Sequence, residues 1–186
     1  MPRLFTGIKI PEDVGLNLEL MRGGIWGARW IDRENFHITL RFMGDISDPI
    51  AHEISHDLSN IAVEPLELSL AGFGLFGGNE PHTLYATVEE NPALRRLQAQ
   101  HERLCQQAGL HAENRRFNPH VTLARLRDVS LLDLKNWIAG HNLFRSRPFL
   151  AESFELFSSR PSRGGGPYVI EASYPFNQLN MAHLNN

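Results

Sequence analysis

Two stretches of this chain are near copies. NFHITLRFMGD at residues 35–45 and NPHVTLARLRD at residues 118–128 share Asn, His, Thr, Leu and Asp at matching positions, 83 residues apart. Both read as strands, where successive side chains point to opposite faces. His37 and Thr39 then share one face while Ile38 and Leu40 point the other way, and His120 and Thr122 stand likewise against Val121 and Leu123. Each strand offers an imidazole and a hydroxyl on one side and two aliphatic anchors on the other. One repeat over so long a period excludes a solenoid, which needs at least three shorter units. It predicts two similar lobes whose motif strands converge on one cleft across a pseudo-two-fold axis, all within a single domain spanning 1–186.

The segments between the motifs predict helices packed outside strands. Strands are expected at Arg3 to Ile10 and His37 to Met43, in LELSLAGFGLF and HTLYATVEE joined at Gly77-Gly78-Asn79, in the second motif, and in FLAESFELFSS and PYVIEASYPF. Helices are expected from Pro11 to about Gly23, from Asp48 to about Asn60, from Asn91 to Gly109 with an apolar stripe of Leu94, Leu97, Leu104 and Ala108, and from Leu131 to Ala139. The fold class is α+β, a bilobal pseudo-two-fold arrangement of mostly antiparallel sheets with outer helices and a central cleft.

With 186 residues the chain buries a core without staples, and its single cysteine, Cys105, leaves no intramolecular disulfide. A soluble, cytoplasmic monomer is expected, since no apolar run approaches the ~20 residues of a membrane span. The net charge of −3 is unevenly placed: residues 1–93 carry 6 basic and 14 acidic side chains, and residues 94–186 carry 12 and 7. That distribution argues against a general nucleic-acid coat and allows a local basic surface.

Two histidines flanking a scissile bond suit acid–base chemistry, because imidazole titrates near ~6.5 and can hold or supply a proton near neutrality. Two hydroxyls at a fixed offset suit the non-bridging oxygens of a phosphate between them. A phosphodiester fits this symmetry, having an attacking and a leaving oxygen roughly in line. Strand parity places Arg41 on the same face as His37 and Thr39, within reach of such a phosphate or, four residues on, at the rim of the cleft. Phe42, Trp30 and Phe117 are candidates to stack a base, with a place in the core or the cleft wall as the plainer reading. A competing motif, HEISH at residues 52–56, has the H-E-x-x-H spacing of zinc peptidases. Its helix buries the stripe Ile50, Ile54, Leu58 and Ile61, which turns His52 and His56 to water, and Ser59 and Ala62 stand where the longer signature needs Gly and His. No metal site is assigned. His101 falls on the stripe side of the third helix, at the edge of the core.

From RLFTGIKIP through NFHITLRFMGD and RRFNPHVTLAR to FELFSSRPSRGGGPYVIEASYPF, the chain resembles the 2H phosphoesterases, and within them the RNA 2',3'-cyclic phosphodiesterase (2'-5' RNA ligase) family. The resemblance implies hydrolysis of 2',3'-cyclic phosphate ends of RNA, tRNA fragments among them, to 2'-phosphomonoesters, with no cofactor and with 2'-5' joining in reverse. It makes His37 and His120 the catalytic pair, His120 as base and His37 as acid, with Thr39 and Thr122 on the phosphate. Arg125 matches the family's arginine after the second motif, although its odd offset from His120 aims it away from the cleft unless a bulge intervenes; a structural ion pair is the other reading. Tyr168 matches a position near the cleft. Arg115 and Arg116 are weaker candidates, and the loop from Arg160 to Pro167 offers glycines that could admit an anion to the backbone. Another cyclic or 2'-5' phosphodiester as substrate, or an RNA-end-binding module without turnover, stays open at this point.

Overall fold

The computed structural model describes residues 3–159 and 167–177. The glycine loop after Ser159 and His183 lie outside the described residues. Ten strands and four helices follow one another as β1 (Arg3–Lys9), α1 (Glu12–Glu19), β2 (Ala28–Trp30), β3 (His37–Asp45), α2 (Asp48–Leu58), β4 (Leu66–Leu68), β5 (Leu70–Phe76), β6 (Thr83–Val88), α3 (Pro92–Gln107), β7 (His120–Leu126), α4 (Leu131–Gly140), β8 (Phe149–Ala151), β9 (Ser153–Ser159) and β10 (Tyr168–Pro175), with a 3-10 turn at Arg33–Asn35 before β3. The main sheet runs β10-β9-β1-β3-β7-β6-β5, every neighbouring pair antiparallel, with β2 beside β7. β4 and β8 make a separate antiparallel pair.

The repeat reaches well past the motifs. His37 and His120 open β3 and β7, Asp48 and Leu131 open α2 and α4, Leu66 and Phe149 open β4 and β8, and Leu70 and Ser153 open β5 and β9, each pair 83 residues apart. The runs LELSLAGFGLF and FLAESFELFSS, expected to be single strands, each break after three residues, at Ser69 and Glu152. The first piece of each joins the small sheet and the second joins the large one. The second pieces are exchanged: β5, which follows the first motif strand, pairs with β6 beside the second, and β9, which follows the second motif strand, pairs with β1 beside the first.

Local chemistry sets the helix ends. Asn91 caps α3 by accepting the Leu94 N–H at 3.0 Å, Pro92 begins it, and Gly109 at φ 90° ends it. Ser130 caps α4 in the same way through the Asp133 N–H. α1 stops at Glu19, short of the expected Gly23, because the chain turns there to enter β2, a three-residue strand that periodicity does not reveal. Ile38, Val121, Leu84, Ala86, Leu94 and Leu97 form the centre of the core under the sheet. Among the described residues no helix is long and apolar enough to cross a membrane.

His101 departs from expectation. It sits wholly inside the core, its Nδ1 2.8 Å from Thr6 Oγ1 and its ring edge-on to Phe154, while Nε2 has no hydrogen-bond partner. Burial holds its pKa down, to about 3. Between that value and the ordinary ~6.5 the unfolded chain binds a proton that the native one refuses, so this group's contribution is complete above pH ~6.5 and is lost as pH falls toward 3, by at most about 1.4 kcal/mol per pH unit. His101→Gln is therefore expected to flatten the decline of the urea midpoint between pH 6 and 4. An unchanged slope would assign the acid sensitivity to other groups.

Candidate active site

The motif strands meet at one residue pair, Ile38 opposite Val121. Both side chains are fully buried on the helix side of the sheet. In an antiparallel pair this register sets His37 level with Thr122 and Thr39 level with His120, on the opposite face. The four polar side chains thus occupy the corners of a square with the two imidazoles on a diagonal. Beyond this pair the strands part, β3 toward β1 and β7 toward β6 and β2, and the open face between them is the cleft.

The main chain orients each imidazole. His37 Nδ1 lies 2.8 Å from the Asn35 carbonyl, and His120 Nδ1 lies 2.7 Å from the Asn118 carbonyl. A carbonyl only accepts, so Nδ1 carries the proton in both rings and Nε2 is left to exchange one with a substrate. On β3 the Thr39 hydroxyl sits 3.0 Å from His37 Nε2. The repeated Asn two residues before each histidine was visible in the sequence, but the group at work there is a backbone oxygen, which residue types do not advertise.

Aromatic walls surround both rings. Phe5, Phe157 and Tyr168 stand 4.9, 5.6 and 5.1 Å from His37, and Phe76 and Tyr85 stand 4.8 and 5.1 Å from His120, centroid to centroid. Gly7 permits the first wall: a Cβ there would come within 2.8 Å of the Ile38 carbonyl oxygen and 3.4 Å of the His37 ring. Burial is the main cause that lowers the pKa of both histidines, His37 to about 4; for His37 the Asn35 carbonyl opposes it, and His120 and Arg125 lower it further, while Arg125 also lowers His120. Tyr168 donates its N–H to Asn35 Oδ1 at 3.2 Å, tying the start of β10 to the residue that orients His37.

Both motif strands carry a bulge, and at the same residue. In the β1–β3 register Gly7 faces Thr39 and Thr6 faces Arg41, leaving Leu40 extra; in the β6–β7 register Tyr85 faces Thr122 and Leu84 faces Ala124, leaving Leu123 extra. The extra residue reverses the alternation beyond it. Both strands accordingly show the same order of burial, with two consecutive buried residues after the threonine. This corrects the placement of Arg41. Its side chain turns into the core, 7% exposed, with Nε 2.5 Å from Glu102 Oε2 in an ion pair lacking hydrogen-bond alignment, and it donates to the carbonyls of Phe42 and His111. Phe42 takes the open face instead, 45% exposed. On β7 the same bulge brings Arg125 round to the side of His120 and Thr122, where it donates to Thr83 Oγ1 at 2.9 Å.

Other candidates fall elsewhere. Trp30 packs on Trp137 and Phe117 on the core, so of the three proposed stacking rings only Phe42 lies open. Arg115 pairs with Glu113 at 2.8 Å, and Arg116 is exposed. His52 and His56 lie exposed on α2 while Ile54 and Leu58 are buried, and no third metal-ligating side chain joins them among the described residues.

Two lobes sharing one antiparallel sheet, each contributing a His-x-Thr strand to a common face, define the class. The chain belongs to the 2'-5' RNA ligase superfamily, whose sequence model matches residues 17–160. Among named relatives, an RNA 2',3'-cyclic phosphodiesterase of Aquifex aeolicus is 32% identical over 153 residues, 79% of this chain and 81% of that protein. Another, of Aeropyrum pernix, is 39% identical over 99 residues, 52% of this chain. The match spans only 56% of the Aeropyrum protein and 32% of a Geobacillus stearothermophilus relative of the same name. The fold is similar to E. coli LigT crystallised with 3'-AMP, with a TM-score of 0.77 at 22% identity over 95% of this chain and 99% of that one.

Proposed function

We propose that this chain hydrolyses 2',3'-cyclic phosphate ends of RNA to 2'-phosphomonoesters by metal-independent catalysis with two histidines. The observation that carries the reading is the Ile38–Val121 register, which faces two carbonyl-oriented imidazoles and two threonine hydroxyls toward one point. In the step envisaged, water attacks phosphorus while His120 Nε2 takes its proton. The bond from phosphorus to O3' breaks, and His37 Nε2–H protonates the departing oxygen, leaving the phosphate on O2'. Thr39, Thr122 and Arg125 offset the charge on the non-bridging oxygens. With a 5'-hydroxyl attacking in the place of water, the same steps in the same direction join 2'-5' ends, and run backwards they cleave such a linkage to the cyclic phosphate. A monomer working on RNA ends such as tRNA fragments in a reducing cytoplasm fits the lone, fully buried thiol of Cys105, which burial pushes up to about 11.

The test is metal-free protein in EDTA with a short RNA ending in a 2',3'-cyclic phosphate, the product compared with authentic 2'- and 3'-phosphate ends. A 2'-phosphate supports the reading; a 3'-phosphate would reverse the roles of the two ester oxygens, and no turnover would remove it.

The pH dependence follows from the cleft. Turnover needs one imidazole neutral and one protonated, so kcat/KM tracks the singly protonated pair. Both histidines are held below the ordinary ~6.5, His37 near 4, so kcat/KM of the free enzyme is expected to peak on the acid side of 6.5 and to fall as pH rises through neutrality. Arg125→Gln removes a cation that lowers both groups, so the falling limb should move to higher pH while the maximum rate drops. A limb that stays in place would remove Arg125 from the electrostatics of the pair.

A further inference from the structure

The two lobes differ where they should match. Beyond the bulges, the row across the first lobe is Phe157, Phe5 and Phe42, and the equivalent row across the second is Phe76, Thr83 and Arg125. The second row continues onto β2, where Arg29 stands directly opposite Arg125. Its direction is set by its neighbour: Trp30 faces buried Ala124 and packs inward on Trp137, so Arg29 points to the open face. Arg29 is exposed there, and Arg127, just past the end of β7, is 93% exposed beside Asp128.

Two guanidiniums directly opposed across a strand pair offer successive phosphates of a polyanion adjacent cationic contacts. Resting on the reading of the site as an RNA cyclic phosphodiesterase, we propose that Arg29 binds the phosphodiester adjoining the terminal cyclic phosphate, so that the RNA strand leaves the site over β7 and β2. Arg125 holds the reacting phosphate and Arg29 the next one, where a guanidinium can grip two oxygens at once. The aromatic row of the first lobe offers nothing to a phosphate, so the exit is one-sided. Arg29 thus selects for chain length and takes no part in the chemistry.

The experiment compares Arg29→Gln with the parent on a 2',3'-cyclic mononucleotide and on a six-nucleotide RNA with a cyclic phosphate end. The expected result is a KM about tenfold higher on the oligonucleotide, kcat within twofold, and an unchanged kcat/KM on the mononucleotide, the size of one lost charged contact. Arg29→Lys should recover part of the loss, since it keeps the charge without the fork. An equal loss on both substrates would place Arg29 in support of the site itself, and no loss on either would take it off the RNA path; both overturn the proposal. If the parent turns over neither substrate, the proposed function fails, and the strand path is decided by anisotropy with a 2'-phosphate-ended RNA. There Arg29→Gln should weaken binding about tenfold and make the slope of log Kd against log salt shallower by about 0.7; equal affinity and slope would sink the path as well.

Discussion

Alanine in place of His37 or of His120 is expected to lower kcat/KM on a cyclic-phosphate RNA by roughly a hundredfold or more, with the affinity for a 2'-phosphate product nearly unchanged. The two losses should not add. Each imidazole serves one proton of the same transfer, and once either is gone the other has no partner step to complete. The double variant is therefore expected within about tenfold of the worse single one. Single-turnover rates on folded, monodisperse variants check this. Turnover that survives in both single variants would mean that the square of His37, Thr122, Thr39 and His120 is a structural knot and not a catalytic one.

The second large effect is expected from a residue that strand parity had put in the cleft. Arg41→Ala removes the cation from a largely buried ion pair and leaves the Glu102 carboxylate without it, at 17% side-chain exposure. Breaking such a pair from one side costs roughly 3 kcal/mol, most of a marginal protein's reserve. A drop of that size in urea-measured stability is expected, with kcat/KM within severalfold of the parent at a temperature where the variant is folded. The converse result, full stability with lost turnover, would return Arg41 to the substrate. Phe42→Ala offers the contrast, because its side chain already faces solvent and its removal should leave stability nearly intact.

Arg41 and Arg125 show where sequence reading succeeds and where it stops. The doubled motif, the sided strands and the capped helices could be read directly, because periodicity and end-capping are written in adjacent residues. Parity counting then assumes an unbroken pleat. A bulge at Leu40 and another at Leu123 exchanged the two arginines between core and cleft, and leucine is what either a regular or a bulged strand would carry there. The breaks at Ser69 and Glu152 hid in the same way, since a polar residue there is what an unbroken alternating strand would also carry. The Asn35 and Asn118 carbonyls lie only two residues from their histidines, but residue types do not advertise what a backbone oxygen accepts. The aromatic walls on β1, β5, β6 and β9 come from pairings between segments distant along the chain, which no local window contains.

The exchange of β5 and β9 bears on how the molecule comes into being. When the ribosome has released the chain only as far as β5, the strands β1 and β3 are present, but the strand that will flank β1 has not been made, and β5 has no β6 to join. β5 gains its partner a few residues later, but β1 keeps a bare edge until β9 is made, when synthesis is nearly over. A stalled or clipped product ending between the repeats would hold one imidazole, no cleft and an unfinished sheet, leaving it open to proteolysis and without partial activity against RNA.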